Sequence, residues 1–550
     1  MKFISQNIGF KKMRGDKWMV VFKKLKNKNR LNPFTVEIDD QSLNNSKDSL
    51  SESLEENKNF VLKKLGNSSD IVIRDIKIGK ENLVRASIFY CDGLVDTASI
   101  QNSVLEPLML DITSYNDQFL ASRTEILEVL KDHYLTVGSI NDVMDYTTLF
   151  NSLLSGNIIL LLDGVAHGFM ISMCGWNERA VSESTAENVI RGPKEGFTES
   201  IRTNTALIRR KIKSQQLWVE SKNIGKLTKT DIAIMYIKGI ANDKIVQEVH
   251  RRLNQIDIDG ILESGYIEEL IQDKTYTPFP TVYYSERPDV ISAELLEGKI
   301  AILVDGTPNV LIVPALFVSF LHVAEDYYQR ADISSLIRLL RFFSLFIALL
   351  APSLFVAITT FHQEMVPTAL LINLAAQREG VPFPAFIEAL MMEAAFEILR
   401  EAGLRMPRAI GSAISIVGTL VIGTAAVEAG IVSAAMVIVV AITAISSFIL
   451  PSVAMAASLR MLRFPMMGLA ASFGLFGIIV GLISLILHLC SLRSFGVPYM
   501  TPFGPLIKEE VKDSIFRLPW WGMVSRPKLI SKTNKKRSHN SAPTPPENKI

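Results

Sequence analysis

Between residues 342 and 490 the chain carries four apolar windows, 342–361, 409–427, 431–450 and 466–490, none containing a Lys, Arg, Asp or Glu. A helix rises 1.5 Å per residue, so about 20 such residues cross a hydrocarbon core of roughly 30 Å. In front of them lie roughly 330 mostly polar residues. A purely soluble chain is a poor fit to this asymmetry, and a soluble domain followed by a membrane domain is expected.

The chain has 550 residues, room for two or three domains, and a formal net charge of only +2. That balance provides no field for grasping nucleic acid. Cys91, Cys174 and Cys490 are far apart and odd in number, without the CxxC spacing of zinc or redox sites, which fits a reducing compartment. The longest apolar run near the basic N-terminus, 18–22, is too short for the core of a secretory signal. The soluble part is therefore expected in the cytoplasm.

Residues 1–57 combine lysines with Ser, Asn and Asp and read as a flexible arm. Trp18 and Phe22 could dip into an anionic leaflet; a solvated tail is the plainer reading. Beyond Arg526 the prolines and basic residues read as a disordered basic tail, a charge bias that favours the cytoplasmic side.

The soluble part contains an internal duplication. Segment 153–171, LLSGNIILLLDGVAHGFMI, aligns without gaps on 295–313, LLEGKIAILVDGTPNVLIV, with seven of nineteen positions identical. Both read as a strand, an Asp-Gly turn and a strand, with Asp163-Gly164 and Asp305-Gly306 where a tight turn demands positive φ. Upstream, 83–96 resembles 229–242 at nearly the same offset, so two similar α/β subdomains are expected. Between them, Arg191-Gly192-Pro193 and Gly196 punctuate a loop. A helix then follows Thr198, with Arg202, Arg209 and Arg210 on its exposed side. Its Gly and Arg residues lack the Walker spacing of a phosphate loop, and a packing or subunit contact is the better reading. His322, Glu325 and Asp326 then form a polar junction, with Tyr327 and Tyr328 available as interfacial aromatics.

In the membrane part, Gly411, Ser415, Thr419 and Gly423 recur every fourth residue, and Gly477 and Gly481 repeat that spacing, as close helix packing in lipid requires. The least ordinary stretch is 380–400, where Glu388, Glu393 and Glu397 sit among Phe, Ala, Leu, Met and Ile. Ionisable groups at membrane depth are expensive unless they face water or partners, so the stretch is either an interfacial amphipathic helix or lines a cavity. Topology turns on it. A spanning helix puts Arg400, Arg405 and Arg408 inside but the basic tail outside. Re-entry reverses both, and the three glutamates and the basic tail favour re-entry.

The segments RGPKEGFTESIRTNTALIRRKI at 191–212, FPTVYYSERPDV at 279–290, FVAITTFHQEMVPTALL at 355–371, the stretch 378–407 and SFGVPYMTPFGP at 494–505 together resemble the A subunit of the GerA family of spore germinant receptors. The resemblance covers roughly residues 60 to 510 and neither tail. It implies an endospore former and the spore inner membrane. It also implies a transporter-like B subunit that senses nutrient, a lipoprotein C subunit, and a homo-oligomeric ring acting as a nutrient-gated ion channel. It implies no catalytic residues and no cofactor; a sporulation-stage paralogue shares the same motifs.

The expected fold class is an α/β soluble domain made of two similar subdomains, followed by an α-helical transmembrane domain with about four spans plus a re-entrant or amphipathic helix. The expected boundaries are an arm 1–57, subdomains 58–172 and 173–330, a transmembrane domain 331–492 and a cytoplasmic tail 493–550. Acidic rings suit cation pores, which makes Glu388, Glu393 and Glu397 candidate pore-lining residues beside Ser353, Val356, Thr359 and Thr360. The rival is a non-conducting scaffold or signal-relay subunit. An enzyme is disfavoured, since no nucleophile and base pair, metal-ligand spacing or P-loop emerges.

Overall fold

The two Asp-Gly hairpins each become the centre of a five-stranded antiparallel sheet. The computed structural model describes residues 49–78, 84–109, 130–131, 139–175, 187, 189–405, 423–531, 534–537 and 542–543. The first repeat runs α1 (Leu54–Lys64), β1 (Ile71–Ile78), β2 (Val84–Cys91), β3 (Ile140–Val143), α2 (Tyr146–Leu153), β4 (Ile158–Leu162) and β5 (Gly168–Ile171). The second runs α3 (Ile201–Lys211), β6 (Leu217–Ile224), β7 (Thr230–Ile237), α4 (Asp243–Asn254), α5 (Ser264–Ile271), β8 (Tyr283–Ser285), α6 (Pro288–Leu296), β9 (Ile300–Val304) and β10 (Val310–Val313). Strand order is β1-β2-β4-β5-β3 in one sheet and β6-β7-β9-β10-β8 in the other, the same topology twice.

Alternation along the strands explains the layers. Ile232, Ile234 and Tyr236 of β7 pack on the α4 and α5 side, while Ala233, Met235 and Ile237 pack on the α3 and α6 side. The turns repeat down to single bonds. Asp163 Oδ1 accepts from Leu54 N at 3.2 Å, and Asp305 Oδ1 accepts from Ile201 N at 3.0 Å, so each turn carboxylate caps the first helix of its repeat. Gly164 and Gly306 hold φ of 85° and 90°, as the turns require. The repeat thus includes α1, and Leu50 is already buried; the fold starts inside the stretch read as an arm.

Helix α3 lies on the seam between repeats. Ala206 joins the core of the first repeat, and Leu207 and Ile208 join that of the second. Arg209, expected on the exposed side, is buried; its Nε and Nη2 donate to Asp70 at 2.6 and 3.0 Å across the seam.

Helices α7 (Ala331–Phe361), α8 (Thr368–Arg378), α9 (Ala385–Arg405), α10 (Ala434–Phe448) and α11 (Val453–Ser491) follow. Of these, α7 and α11 are long and apolar enough to cross a membrane, and α10 is a shorter apolar helix. Helix α7 starts at the α/β domain, and its 31 residues reach about 46 Å, to Phe361 and His362. There it meets Gly474, at which α11 folds back on itself. A Cβ at Gly477 would collide with the Leu469 carbonyl, and one at Gly481 would come within 2.6 Å of Met466 Sδ, so arms 453–473 and 475–491 lie side by side. Their outer ends return to neighbouring residues: Ser458 Oγ donates to Pro278 O, and His488 Nε2 lies 2.9 Å from Thr277 Oγ1. The window 466–490 is therefore not one span but the end of the first arm, the turn and nearly all of the second arm.

Gly474 has φ 63° and ψ −141°, a conformation essentially reserved for glycine. A Cβ there would stand 2.7 Å from His362 Cε1. Gly474→Ala should cost about 1–3 kcal/mol from the backbone alone, read as a lowered thermal midpoint in detergent.

After the hairpin, β11 (Arg493–Ser494) and β12 (Val497–Pro498) return the chain to the α/β domain, where Phe495 and Val497 enter the second core and Tyr499 is buried at the base of the bundle. The region read as a disordered tail stays packed beyond Arg526. Arg526 Nε donates to Leu296 O at 2.9 Å, Ile530 is buried, and Arg537 pairs with Glu297. The arm and its Trp18 and Phe22 lie outside the described residues.

Candidate functional site

Helix α9 carries Glu388 and Glu393 into the bundle, with Glu397 a quarter exposed at its edge. Glu388 and Glu393 are fully buried. Glu388 Oε1 caps the start of α10, accepting from Ser433 N at 2.6 Å and Ser433 Oγ at 2.5 Å, while Arg378 Nε stands 3.7 Å from its Oε2. Glu393 pairs with buried Arg463, whose Nε also donates to Ala348 O of α7 at 2.8 Å. Glu397 meets Arg460 and Arg400, each at 3.1 Å.

Glutamates four residues apart on α9 thus face arginines three residues apart on the first arm of α11, in opposite order, so the two helices run antiparallel. Glu397 lies toward the α/β end, since Arg460 is two residues from Ser458. The Phe396 ring lies 6.3 Å from Phe448, at the end of α10 that leads into α11. Glu388 lies about 13 Å deeper along the 1.5 Å rise. Helix α9 is therefore not a solvated amphipathic helix; its 21 residues run through the bundle with the Arg405 end toward the α/β domain. The solvated, interfacial expectation fails because it priced each carboxylate alone. A paired buried charge costs far less than an isolated one.

Arg460 and Arg463 are what the sequence reading missed. They sit just outside the window at 466, and the only local signal was their i, i+3 spacing against the i, i+4 spacing of Glu393 and Glu397. The pairing is incomplete. Glu393 Oε1, Arg463 Nη2 and Ser353 Oγ are buried without a hydrogen-bond partner among the described residues.

Of the other candidates, Ser353 and Val356 face the interior of the bundle, Thr359 is half-buried with its Oγ1 donating to Phe355 O at 2.7 Å, and Thr360 is exposed. Gly477 and Gly481 lie between the α11 arms. Nothing stands within 4 Å of a Cβ at Gly423, and Gly411, Ser415 and Thr419 lie outside the described residues.

A second buried network roots α7 in the α/β domain. Asp326 Oδ2 accepts from Arg338 Nε at 3.0 Å and Arg341 Nη1 at 2.7 Å, its Oδ1 accepts from Arg341 Nη2 at 2.9 Å, and Arg338 Nη1 continues to Asp513 at 2.9 Å. Burial alone would raise the Asp326 carboxyl; Arg341 and Arg338 outweigh it and hold it below the usual range. His322 beside them is held down to about 4, first by burial and then by the Arg338 charge, with its Nε2 2.9 Å from Ser514 O. Its folded value lies below the unfolded 6.5, so the stability from neutral His322 is full above pH 6.5 and is lost as pH falls toward 4. Melting curves between pH 7 and 4 should show that decline, and His322→Gln should flatten it.

An α/β domain of two like repeats, carried on an apolar bundle with charges paired at its centre, is the architecture to be matched. The sequence matches the Bacillus/Clostridium GerA spore germination protein family over residues 59–529, and the chain belongs to that family. It is 51% identical to spore germination protein KA of Bacillus subtilis (strain 168), over 89% of this chain and 88% of that one. It is 46% identical to the uncharacterised membrane protein YfkQ of the same strain, over 88% and 92% of the two chains. With spore germination protein GerLA of Bacillus cereus the identity is 38%, over 85% and 93%. The crystal structure of the N-terminal domain of the A subunit of the Bacillus megaterium spore germinant receptor GerK3 is 46% identical. It covers 50% of this chain and 99% of that one, at a TM-score of 0.39.

Proposed function

We propose that this chain is the A subunit of a nutrient germinant receptor in the spore inner membrane. Copies of it assemble into an oligomeric channel that passes cations when partner subunits, a transporter-like B subunit and a lipoprotein C subunit, sense nutrient. It acts without catalysis or cofactor. The observation that carries the reading is the ladder of Glu388, Glu393 and Glu397 against Arg378, Arg463 and Arg460 inside an apolar bundle. Ionisable residues at that depth are costly and mark ion paths or switches. Paired, they leave no net acidic lining; loosening the pairs exposes carboxylates, with Ser353, Val356, Thr359 and Thr360 on the neighbouring helix, to a cation path. Reconstitution of the three subunits in liposomes tests it: nutrient should start cation flux, and vesicles that stay ion-tight would overturn the channel.

The same geometry supports five crossings among the described residues. Helix α7 leads away from the α/β domain, α9 and α10 lead back, and the α11 arms lead out and back. Window 409–427 is long and apolar enough in sequence for one more. Arg400, Arg405 and Arg408 and the basic tail then share the cytoplasmic side, which removes the charge conflict. Impermeant labelling of single cysteines near Glu364 should mark the far side, and near Arg405 and Lys535 the α/β side. The scaffold reading is favoured by the tight seam between repeats. It predicts that Gln at the three glutamates breaks assembly alone, whereas the channel predicts altered selectivity in intact assemblies.

A further inference from the structure

The first turns of α7 present two unlike faces before the apolar window begins at Phe342. Ser334, Arg338 and Arg341 are buried toward the junction, while Ile333, Leu336 and Leu340 are exposed on the other side, Leu336 by 69%. That stripe continues without a break into exposed Phe343, Phe346 and Ile347 of the spanning segment. An apolar face has no reason to stop at Phe342 and then resume among polar residues unless its surroundings remain partly apolar.

The C-terminal chain is held against this root. Arg517 N donates to Ser335 Oγ at 3.1 Å, and Ser335 Oγ is also 3.1 Å from Arg517 O. Just beyond, Trp520 and Trp521 are 47% and 45% exposed, with Phe516 and Val524 also exposed. Trp520 is oriented from its inner side: its ring lies 5.8 Å from Tyr327, and the guanidiniums of Arg517 and Arg537 stand 5.7 and 5.1 Å from its centroid. Trp520 is thus flanked by two guanidiniums and a Tyr ring, yet nearly half of it stays exposed, as does Trp521.

We propose that residues 516–524 form a strap that lies in the headgroup region of the leaflet on the α/β side, with Trp520 and Trp521 inserted at the acyl boundary beside Ile333, Leu336 and Leu340. The partner is a lipid surface. Continuity of the stripe with the spanning segment selects lipid over a protein groove. So does depth: Ser335, which anchors the strap, lies about 10 Å along the helix from Phe342, within reach of the interfacial layer outside a core of roughly 30 Å. Trp and Tyr are the side chains that settle there, with an apolar ring and a polar edge. The strap rests on the reading that α7 spans the bilayer, and it would join the tail, the α/β domain and the leaflet at the foot of one helix.

The test uses full-length protein in liposomes. Trp18→Phe, Trp176→Phe and Trp218→Phe together leave Trp520 and Trp521 as the only emitters among five tryptophans. Lipids brominated high in the acyl chain should quench their emission about twofold, and more than lipids brominated near the chain ends, as interfacial rings require. Trp520→Phe with Trp521→Phe in the otherwise native chain should remove that shallow quenching. Unquenched emission from protein that stays in the membrane pellet after an alkaline wash overturns the strap. So does loss of quenching only when partner subunits are added, which would assign the face to protein. Release of the protein by the wash overturns instead the spanning reading beneath it.

Discussion

Arg463→Ala should lower the unfolding free energy by about 3–5 kcal/mol, because removing one member of a buried ion pair strands the other charge. Glu393 would keep its carboxylate in the bundle with no cation in contact, and α7 would lose the bond from Arg463 Nε to Ala348 O. Denaturant unfolding in detergent measures the loss. Arg463→Met combined with Glu393→Leu should recover most of it, since apolar residues of similar volume often replace a buried pair at little cost. A single variant within about 0.5 kcal/mol of wild type, the range of ordinary surface substitutions, would mean that water already solvates the pair. Under the proposed channel function, a stable double variant that no longer conducts would separate a role of the pair in ion flow from its role in packing.

Asp326→Ala should cost a similar amount, about 3–5 kcal/mol, by leaving two buried guanidiniums facing each other. Asp326 is the shared acceptor of Arg338 and Arg341, and Asp513 reaches only Arg338. The loss falls on the joint between the α/β domain and α7, so calorimetry should split one melting transition into two, with the α/β domain and the bundle unfolding separately. A single transition at the wild-type temperature would show that Phe317, Phe320 and Tyr499 hold the joint by apolar contact.

Much of the α/β domain was legible. The Asp-Gly turns and the apolar strands flanking them are local patterns repeated in both halves, and the two sheets share one strand order. Helix α1 was not, because five of the eleven residues of Leu54–Lys64 are charged and it buries only Leu54, Asn57 and Val61. Arg209 read as exposed because its residue type usually is; its partner Asp70 lies 139 positions away. The tail failed in the same way. Prolines and basic residues signal a lack of regular structure, and such a segment can still be packed, as Arg526 and Ile530 are.

For the candidate site, the glutamates were visible but their state was not. An apolar window is an additive property of neighbouring residues, which is why the membrane part and the anomaly within it could be read directly from the chain. The cost of a charge is not additive. It depends on the distance to an opposite charge, and here that distance was set by a reversal at Gly474 and by arginines about 70 residues further on. Window scanning therefore took 466–490 for one span and left α9 as a re-entrant or amphipathic helix. Composition marked out the apolar windows and exposed the repeats; folding alone brought Glu393 to Arg463, and a lone carboxylate among apolar residues became half of an ion pair.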